Sequence, residues 1–414
     1  MTHSTVKSVV IANDHAFVNG GQAKIALESA LNLKRQGLDV SFVAGQGPAD
    51  PRLDEAGIEC TITGSHDILS DPDRLHAATC GLWNLAAARA LARVIDARDP
   101  VTTIVHVHGW SKALSPSIGP VVVKSKTPHV FTLHEYFLAC PNGGFYNYQT
   151  GTICQKRALG AKCLTTQCDP RHAGHKAWRV ARQAVLRTLG LMPRGLRDVI
   201  YLTARQLSLM RPYFPAEARW HYLPNPVEIR SDERVTAEDN ETFLFIGRLS
   251  PEKGADIAAA AARIAGVKIA FAGDGEARDT VTRANPDAVM LGWLNSDQLV
   301  SWMRKARCVV FPSRWYETYG LVVAEALRLG LPVLVSRSSV AAELVRHGES
   351  GFHVEAGNVE QWAAFMGQLQ HDATARMLSH AAYAAGAKIP SYNDYTDELL
   401  AIYDRISVDR RWTH

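Results

Sequence analysis

A chain of 414 residues is too long for one ordinary hydrophobic core and predicts two or three domains. Hydrophobic residues at 47% and charged residues at 21% exclude a disordered chain, and a formal charge of +4 argues against a dedicated nucleic-acid binder. No apolar run reaches the roughly eighteen residues of a transmembrane helix. The first residues carry no signal-peptide core, and seven cysteines speak against a disulfide framework, so the expected location is the cytoplasm.

Residues 6–12 form a short apolar strand, 13–21 a turn-rich loop, 22–35 a helix and 38–43 the next strand, an opening that predicts a parallel sheet. Residues 72–97 are mostly helical in pattern. Strands at 101–107 and 129–133 run into His106-Val107-His108-Gly109-Trp110 and His134-Glu135. Residues 135–171 break the rhythm with a long loop rich in Gly, Asn, Tyr and Cys; loops of that length usually carry function. A basic helix at 172–191 and strands at 198–202 and 218–223 close the first half. Pro224-Asn225-Pro226 and the polar run 230–241 predict a linker.

A second alternating series follows. Strands are expected at 242–246, 267–272, 288–291, 308–311, 332–335 and 351–354. Helices are expected at 251–265, 275–284, 296–306, 319–329, 340–347 and 359–370, with a last amphipathic helix at 394–406. The fold class is therefore α/β with two Rossmann-like, doubly wound domains. The expected domains are 1–223, with a tail at 390–414 crossing back to it, and 224–389. Open parallel sheets bind ligands outside the carboxyl ends of their strands, so the candidate residues belong in the strand-to-helix turns.

The most suggestive turn lies within 312–332. Glu317 and Glu325 flank a helix start at Gly320, Leu321 and Val322, whose free N–H groups and dipole favour a phosphate. The two acids are eight residues apart, about 12 Å at the helical rise per residue, the span from a ribose to the sugar of a nucleotide-sugar. Gly247-Arg248-Leu249-Ser250-Pro251-Glu252-Lys253 opens another helix and sets two cations beside the cleft, suited to a diphosphate. Gly273-Asp274-Gly275 allows a ligand to approach the backbone or makes a plain tight turn. Gly20-Gly21 opens the first helix without a dinucleotide fingerprint or a Walker lysine, which argues against a nicotinamide enzyme and a phosphate-loop ATPase. His106 and His108 share a strand face, as strand-end packing or as half a metal site. Asp71-Pro72-Asp73 reads as a helix start.

Residues 243–357 resemble the nucleotide-sugar domain of glycosyltransferase family 4, retaining enzymes of the two-domain GT-B fold. The matching pieces are Phe245-Ile246-Gly247-Arg248 through Lys253-Gly254, Ala272-Gly273-Asp274-Gly275, Phe311-Pro312-Ser313 through Glu317-Thr318-Tyr319-Gly320 to Glu325, Gly330-Leu331-Pro332, and Glu343 to Gly351. The first half is similar through Gly20-Gly21, His106-Val107-His108-Gly109 and Thr132-Leu133-His134-Glu135. Two departures are Ser338-Ser339 where many members carry Gly-Gly, and Glu135 where Asp is usual.

The resemblance implies two domains facing a central cleft, the C-terminal one for the nucleotide-sugar and the N-terminal one for the acceptor. It implies a metal-independent hexosyltransferase that moves a sugar from a nucleotide-diphosphate sugar to a saccharide acceptor, lipid-linked in surface polysaccharide biosynthesis. Arg248 and Lys253 would hold the donor diphosphate, where a departing nucleoside diphosphate needs positive charge. Glu325 would bind the ribose. Glu317, with the N–H groups of Gly320, Leu321 and Val322, would hold the donor sugar and β-phosphate, and His134 would sit over the reacting carbon. Gly247, Gly273 and Asp274 complete the donor set; Gly20 and Gly21 face the acceptor or a phosphate.

Cys140, Cys154, Cys163 and Cys168 suggest a structural zinc site, with free thiols or two disulfides as the alternatives. Residues 171–197 carry many Lys and Arg and no acid among apolar residues, which predicts either contact with an anionic membrane face or packing on the chain's own domain. Two functional alternatives stand beside the main one: a sugar-phosphate synthase-like enzyme with a soluble acceptor, and a catalytically silent scaffold of the same fold.

Overall fold

The computed structural model describes residues 5–229 and 233–411; residues 1–4, 230–232 and 412–414, which include parts of the expected linker and tail, lie outside the described residues. The chain forms two compact units. One comprises Met1–Gly143, Lys156–Pro226 and Ser391–His414, the other Gly144–Gln155 and Val227–Pro390.

In the first unit the strands are β1 (Ser8–His15), β2 (Asp39–Gln46), β3 (Glu59–Ile62), β4 (Thr103–Val107) and β5 (His129–Thr132). The segment Gly144–Gln155, inside the expected first domain, clusters with the second unit and carries an antiparallel hairpin of β6 (Tyr146–Asn147) and β7 (Thr152–Ile153). β8 (Asp198–Tyr201) and β9 (Arg219–Tyr222) then return to the first sheet, whose order is β3-β2-β1-β4-β5-β8-β9. All its neighbours are parallel. β1 is buried along its whole length, as expected of a strand covered on both faces.

The second unit repeats the plan. β10 (Thr242–Ile246), β11 (Ile269–Ala272), β12 (Val289–Gly292), β13 (Ala306–Phe311), β14 (Val333–Ser336) and β15 (Gly351–Val354) form a parallel sheet of order β12-β11-β10-β13-β14-β15. Phe243, Phe271 and Trp362 are fully buried in its core, each worth about 2–3 kcal/mol of burial. Both sheets reverse direction of winding between two central strands, β1 and β4 in one and β10 and β13 in the other. The turns leaving those strands border the crevice of an open α/β sheet.

Several local expectations change. The helical stretch 72–97 is two helices, Arg74–Leu82 and Leu85–Asp96, because the Asn84 side chain caps the second by accepting from the Ala87 N–H. Asp73 caps the first, accepting from the Leu75 and His76 N–H groups, so the Asp-Pro-Asp is a helix start. Strand β3 and helices Ile118–Lys124 and Asp372–Gly386 went unread. The tail is one helix, Tyr392–Arg411, in the first unit, where it packs on the helix Gly21–Arg35. The Asp404 carboxylate accepts from the Thr5 N–H at 3.0 Å.

Candidate active site

In the second unit the turns after β10 and β13 meet at the switch point. Ser250 lies in extended backbone, Pro251–Lys253 make one 3-10 turn, and Gly254 takes a left-handed conformation before the helix Ala255–Ala265. This puts the Lys253 Nζ 2.6 Å from Glu317 Oε1. The Ser313 hydroxyl donates to the same oxygen at 2.7 Å, and the Lys253 ammonium lies 5.2 Å from the Trp315 ring. Burial pushes the Glu317 carboxyl up, but the Lys253 charge and the hydrogen bonds from Lys253 and Ser313 outweigh it and hold Glu317 below its ordinary value. Glu317 is thus a buried carboxylate at neutral pH, 8% exposed.

Glu317 also has φ +59°, a conformation that costs a non-glycine residue about 1–2 kcal/mol. A strained backbone at a buried ion pair is the pattern of a functional turn. The expected helix start shifts from 319 to Leu321, with Gly320 left-handed at φ +98°. A side chain at Gly320 would put its Cβ 2.5 Å from that of Ala341, so both backbone and space demand glycine. Residues 317–320 are not helical, so the 12 Å spacing between Glu317 and Glu325 does not hold as derived; only Leu321 to Glu325 rises by helix, about 6 Å. Glu325 lies half-buried in the second turn of that helix. The N–H groups of Leu321 and Val322 have no partner within the helix by its geometry.

Arg248 takes a different partner from Lys253. Its guanidinium is 3.0 Å from the buried Glu252, which also accepts from Ser250 Oγ at 2.8 Å, and its side chain is 63% exposed. The glycines of the Gly273-Asp274-Gly275 turn serve a neighbouring loop. A Cβ on Gly273 would fall 1.9 Å from the Gly247 carbonyl oxygen, and one on Gly275 would fall 2.4 Å from that of Leu249. The Gly247 and Leu249 N–H groups donate to Ala272 and Asp274. These glycines therefore lock the turn after β11 to the Arg248 turn.

The hairpin Gly144–Gln155 completes this side. A Cβ on Gly144 would come 2.8 Å from the Trp315 ring, so the glycine lets the hairpin lie against it. Arg314 pairs with Asp256 at 2.6 Å beside Tyr146. Sequence reading placed Ser313 and Trp315 in the candidate turn without giving either a role, and did not read this hairpin. Ser313 sat in the quoted motif, but its spacing to Glu317 carried no signal without the turn's geometry.

In the first unit, His106, His108 and His134 form a chain. His108 Nδ1 is 3.0 Å from His134 Nε2, and the rings of His106 and His108 are 3.9 Å apart. His106 bonds the Tyr403 hydroxyl and Thr132 Oγ1, each at 2.7 Å. Burial lowers His134 and His106 to about 3 and His108 well below its ordinary value, so all three rings are neutral near pH 7. His108 Nε2 is buried without a hydrogen-bond partner. The pair His106–His108 thus packs at a strand end and supports His134 instead of forming half a metal site.

Beside this chain, Asp14 accepts the N–H groups of Lys112, Ala113 and Leu114. Glu135 accepts from the Ser111 hydroxyl at 2.7 Å, and burial, with the nearby Asp14 charge, raises its carboxyl to about 7. Gly20 caps the helix Gly21–Arg35, and a side chain there would meet nothing within 4 Å, so local packing leaves room beside the pair Gly20-Gly21.

The four cysteines of the expected zinc site divide between the two units. Cys154 belongs to the second unit, whereas Cys140, Cys163 and Cys168 lie buried in the first. There the buried Lys176 ammonium donates to two of the thiols, its Nζ 3.2 Å from Cys168 Sγ and 3.8 Å from Cys163 Sγ. Among the described residues no group of three or more His, Cys, Asp or Glu is arranged to hold a metal ion.

The basic helix, Ala173–Thr188, is likewise turned partly inward. Lys176 and Arg182 are each 5% exposed. Arg182 lies 5.4–5.8 Å from the Trp110, Trp178 and Phe137 rings and donates to the carbonyls of Gly81 and Ser111. Arg179 pairs with the buried Asp169 at 2.7 Å. Among the described residues no helix is long and apolar enough to cross a membrane.

Comparison with known proteins identifies the family and the fold. The family described as "Glycosyl transferase 4-like domain" matches residues 20–226, and "Glycosyl transferases group 1" matches residues 228–385. D-inositol 3-phosphate glycosyltransferase of Mycobacterium tuberculosis is 29% identical over 411 residues, covering 93% of this chain and 79% of that protein. Among solved structures, Anabaena HepE in complex with UDP superposes with a TM-score of 0.66 at 16% identity, covering 97% of this chain and 100% of that one. Sucrose-phosphate synthase from Thermosynechococcus elongatus superposes with a TM-score of 0.70 at 15% identity and the same coverage. The chain belongs to the family 4 type of glycosyltransferases, with the GT-B fold.

Proposed function

We propose that the chain is a retaining hexosyltransferase that needs no catalytic metal, takes a nucleotide-diphosphate sugar as donor and transfers its sugar to a lipid-linked saccharide in surface polysaccharide biosynthesis. The observation that carries this is the buried Lys253–Glu317 pair at the switch point of the second sheet. An ammonium has three donors, so Lys253 can hold Glu317 and a phosphate oxygen at once. Its charge, with the N–H groups of Gly320, Leu321 and Val322, stabilises the leaving diphosphate as negative charge grows on it. The Glu317 carboxylate is fixed in orientation by Lys253 and Ser313, which suits it to accept hydrogen bonds from donor-sugar hydroxyls. Glu325 binds the ribose, and exposed Arg248 adds a second cation for the diphosphate. Gly247, Gly273 and Asp274 shape the donor turns. In the first unit, the acceptor-binding one, His134 acts as a neutral hydrogen-bonding group, since its lowered pKa leaves it uncharged.

Two observations favour a second alternative, a soluble phosphorylated acceptor. Much of the basic helix points inward, and the relatives include an inositol-phosphate transferase and a sucrose-phosphate synthase. Contact with the inner face of a membrane then rests on the remaining exposed cations of 171–197, such as Arg171.

The test is release of nucleoside diphosphate from a panel of nucleotide-sugars. Lys253→Ala and Glu317→Ala are each expected to lower turnover about 10²–10³-fold, the scale of one lost transition-state contact. Arg248→Ala is expected to cost less, about tenfold, because its side chain is solvated. Turnover unchanged by both Lys253→Ala and Glu317→Ala would remove the proposal.

A further inference from the structure

A cavity of about 430 Å³ opens in the first unit between the helices Arg74–Leu82 and Ala173–Thr188. That volume is within the range of small-molecule sites. Its walls are apolar: Ile68, Ala77, Ala78, Phe137 and Trp178. Trp178 is held in place by its indole N–H, which donates to the Ala78 carbonyl at 3.1 Å. Gly81 makes room for that ring, since a Cβ there would lie 2.8 Å from it. Arg182 is part of the wall, its guanidinium spent on three aromatic faces and two carbonyls.

The charged part of the lining has the opposite character. The exposed Arg74 and Arg171 and the half-buried Lys112 line the cavity, and among the described residues no carboxylate does. Leu69, also lining it, is 52% exposed, and Leu75 on the adjoining helix is 76% exposed. A polyhydroxylated ligand would lose its hydrogen bonds against these walls, and a neutral apolar one would leave the cations unused. The composition suits a ligand with an apolar chain and an anionic head.

We infer that this cavity receives the lipid end of the acceptor: an alkyl or isoprenyl chain along Trp178 and Ala78, with its phosphate among Arg74, Lys112 and Arg171. The inference rests on the lipid-linked acceptor proposed above and gives that acceptor its chemical class, a lipid phosphate.

Binding is measured on the full chain by calorimetry, with decyl phosphate below its micelle concentration as probe, and decyl glucoside and inorganic phosphate as controls. Decyl phosphate is expected to bind at least about tenfold more tightly than either control. Ala78→Phe, which fills the cavity, and Arg171→Glu, on an exposed position, are each expected to weaken it by about tenfold or more. Gly174→Leu, at an exposed position on the cavity's rim, repeats the filling test where a larger core residue at 78 prevents folding. Donor hydrolysis by these variants is expected to stay at the wild-type rate. Decyl phosphate affinity unchanged by filling overturns the inference. So does inorganic phosphate binding as tightly as decyl phosphate, which would make this a free-phosphate site. Absence of nucleoside diphosphate release by the wild type from every donor would instead strike the transferase proposal, and the binding measurement separates the two failures.

Discussion

His106, His108 and His134 are buried in the first unit as neutral rings, while Lys253 and Glu317 are buried in the second as opposite charges. The difference follows from the partners available. The histidines face one another, a tyrosine and a threonine, none of which repays the cost of desolvating a cation. Glu317 faces an ammonium 2.6 Å away, which does. Two sheets of the same topology thus hold their polar groups at the strand ends by different means. One is sensitive to gaining protons, the other to losing a partner.

The largest expected effect separates the two by pH. The three histidines are lowered in the folded state, so the unfolded chain binds more protons below about pH 6.5. Their stabilisation is complete above that pH and declines as pH falls toward about 3, the value for His134 and His106. Glu317 is also lowered, from 4.5, so its contribution is present above pH 4.5 and is lost only as pH falls through its folded value. Peptides around His106, His108 and His134 should therefore begin to lose protection about two pH units before those around Glu317, the gap between 6.5 and 4.5. Amide hydrogen exchange read peptide by peptide between pH 7 and 4 checks this. Loss of protection in both units together, only below pH 4.5, would show that the histidines are not held neutral.

Removing one charge tests the second unit. Lys253→Met leaves the Glu317 carboxylate buried and unpaired, and should destabilise the second unit by about 3–5 kcal/mol in denaturant unfolding. Adding Glu317→Gln should restore most of that loss, because the pair is then gone rather than broken. If the single and double variants unfold alike, the two groups are not coupled.

In the first unit the matching experiment is Arg182→Ala. It deletes a buried cation, its three aromatic contacts and two hydrogen bonds, with an expected cost of about 2–4 kcal/mol. Arg171→Ala, on an exposed position of the same basic segment, should cost less than about 0.5 kcal/mol. Equal effects would mean that the segment's charges are all solvated, as its composition alone allows.

That contrast marks where the sequence was legible. Apolar runs bounded by glycine turns gave the alternating strands and helices, because a strand buried on both faces leaves a continuous apolar signature such as Val309-Val310-Phe311. The turn residues Arg248, Lys253, Glu317 and Gly320 stood out because the topology forces binding groups to strand ends. Three things stayed hidden. Which cation meets Glu317 depended on a left-handed Gly254 that redirects the chain after Lys253. The direction in which Lys176 and Arg182 point depended on which face of their helix packs against the domain. Residues far apart in the chain, such as His106 and Tyr403, carry no local pattern that announces their contact. The same holds for Cys154, close in sequence to the other three cysteines of its stretch but in a different unit.

The His106–Tyr403 bond yields the smallest expected effect. The Tyr403 hydroxyl, fully buried, sits 2.7 Å from His106 Nδ1, and Thr132 occupies the other ring nitrogen. Tyr403→Phe keeps the ring and its packing against His106 but leaves Nδ1 without a partner, which should cost about 1–2 kcal/mol. Because the tail helix carrying Tyr403 packs on the first unit, the loss should appear there as lowered protection of β4 and β5 in hydrogen exchange. The His106 ring packs tilted against His108, which bonds His134, so a purely structural tyrosine and one that positions His134 make different forecasts. If the hydroxyl only stabilises the fold, nucleotide-sugar turnover by the folded variant matches wild type at saturating donor. If it also positions His134 through the packed rings, kcat falls several-fold with KM for the donor unchanged, since the donor contacts proposed above lie in the other unit. The first outcome is the one expected here, because Thr132 Oγ1 still bonds the other ring nitrogen of His106, and both His106 nitrogens are bonded away from His108.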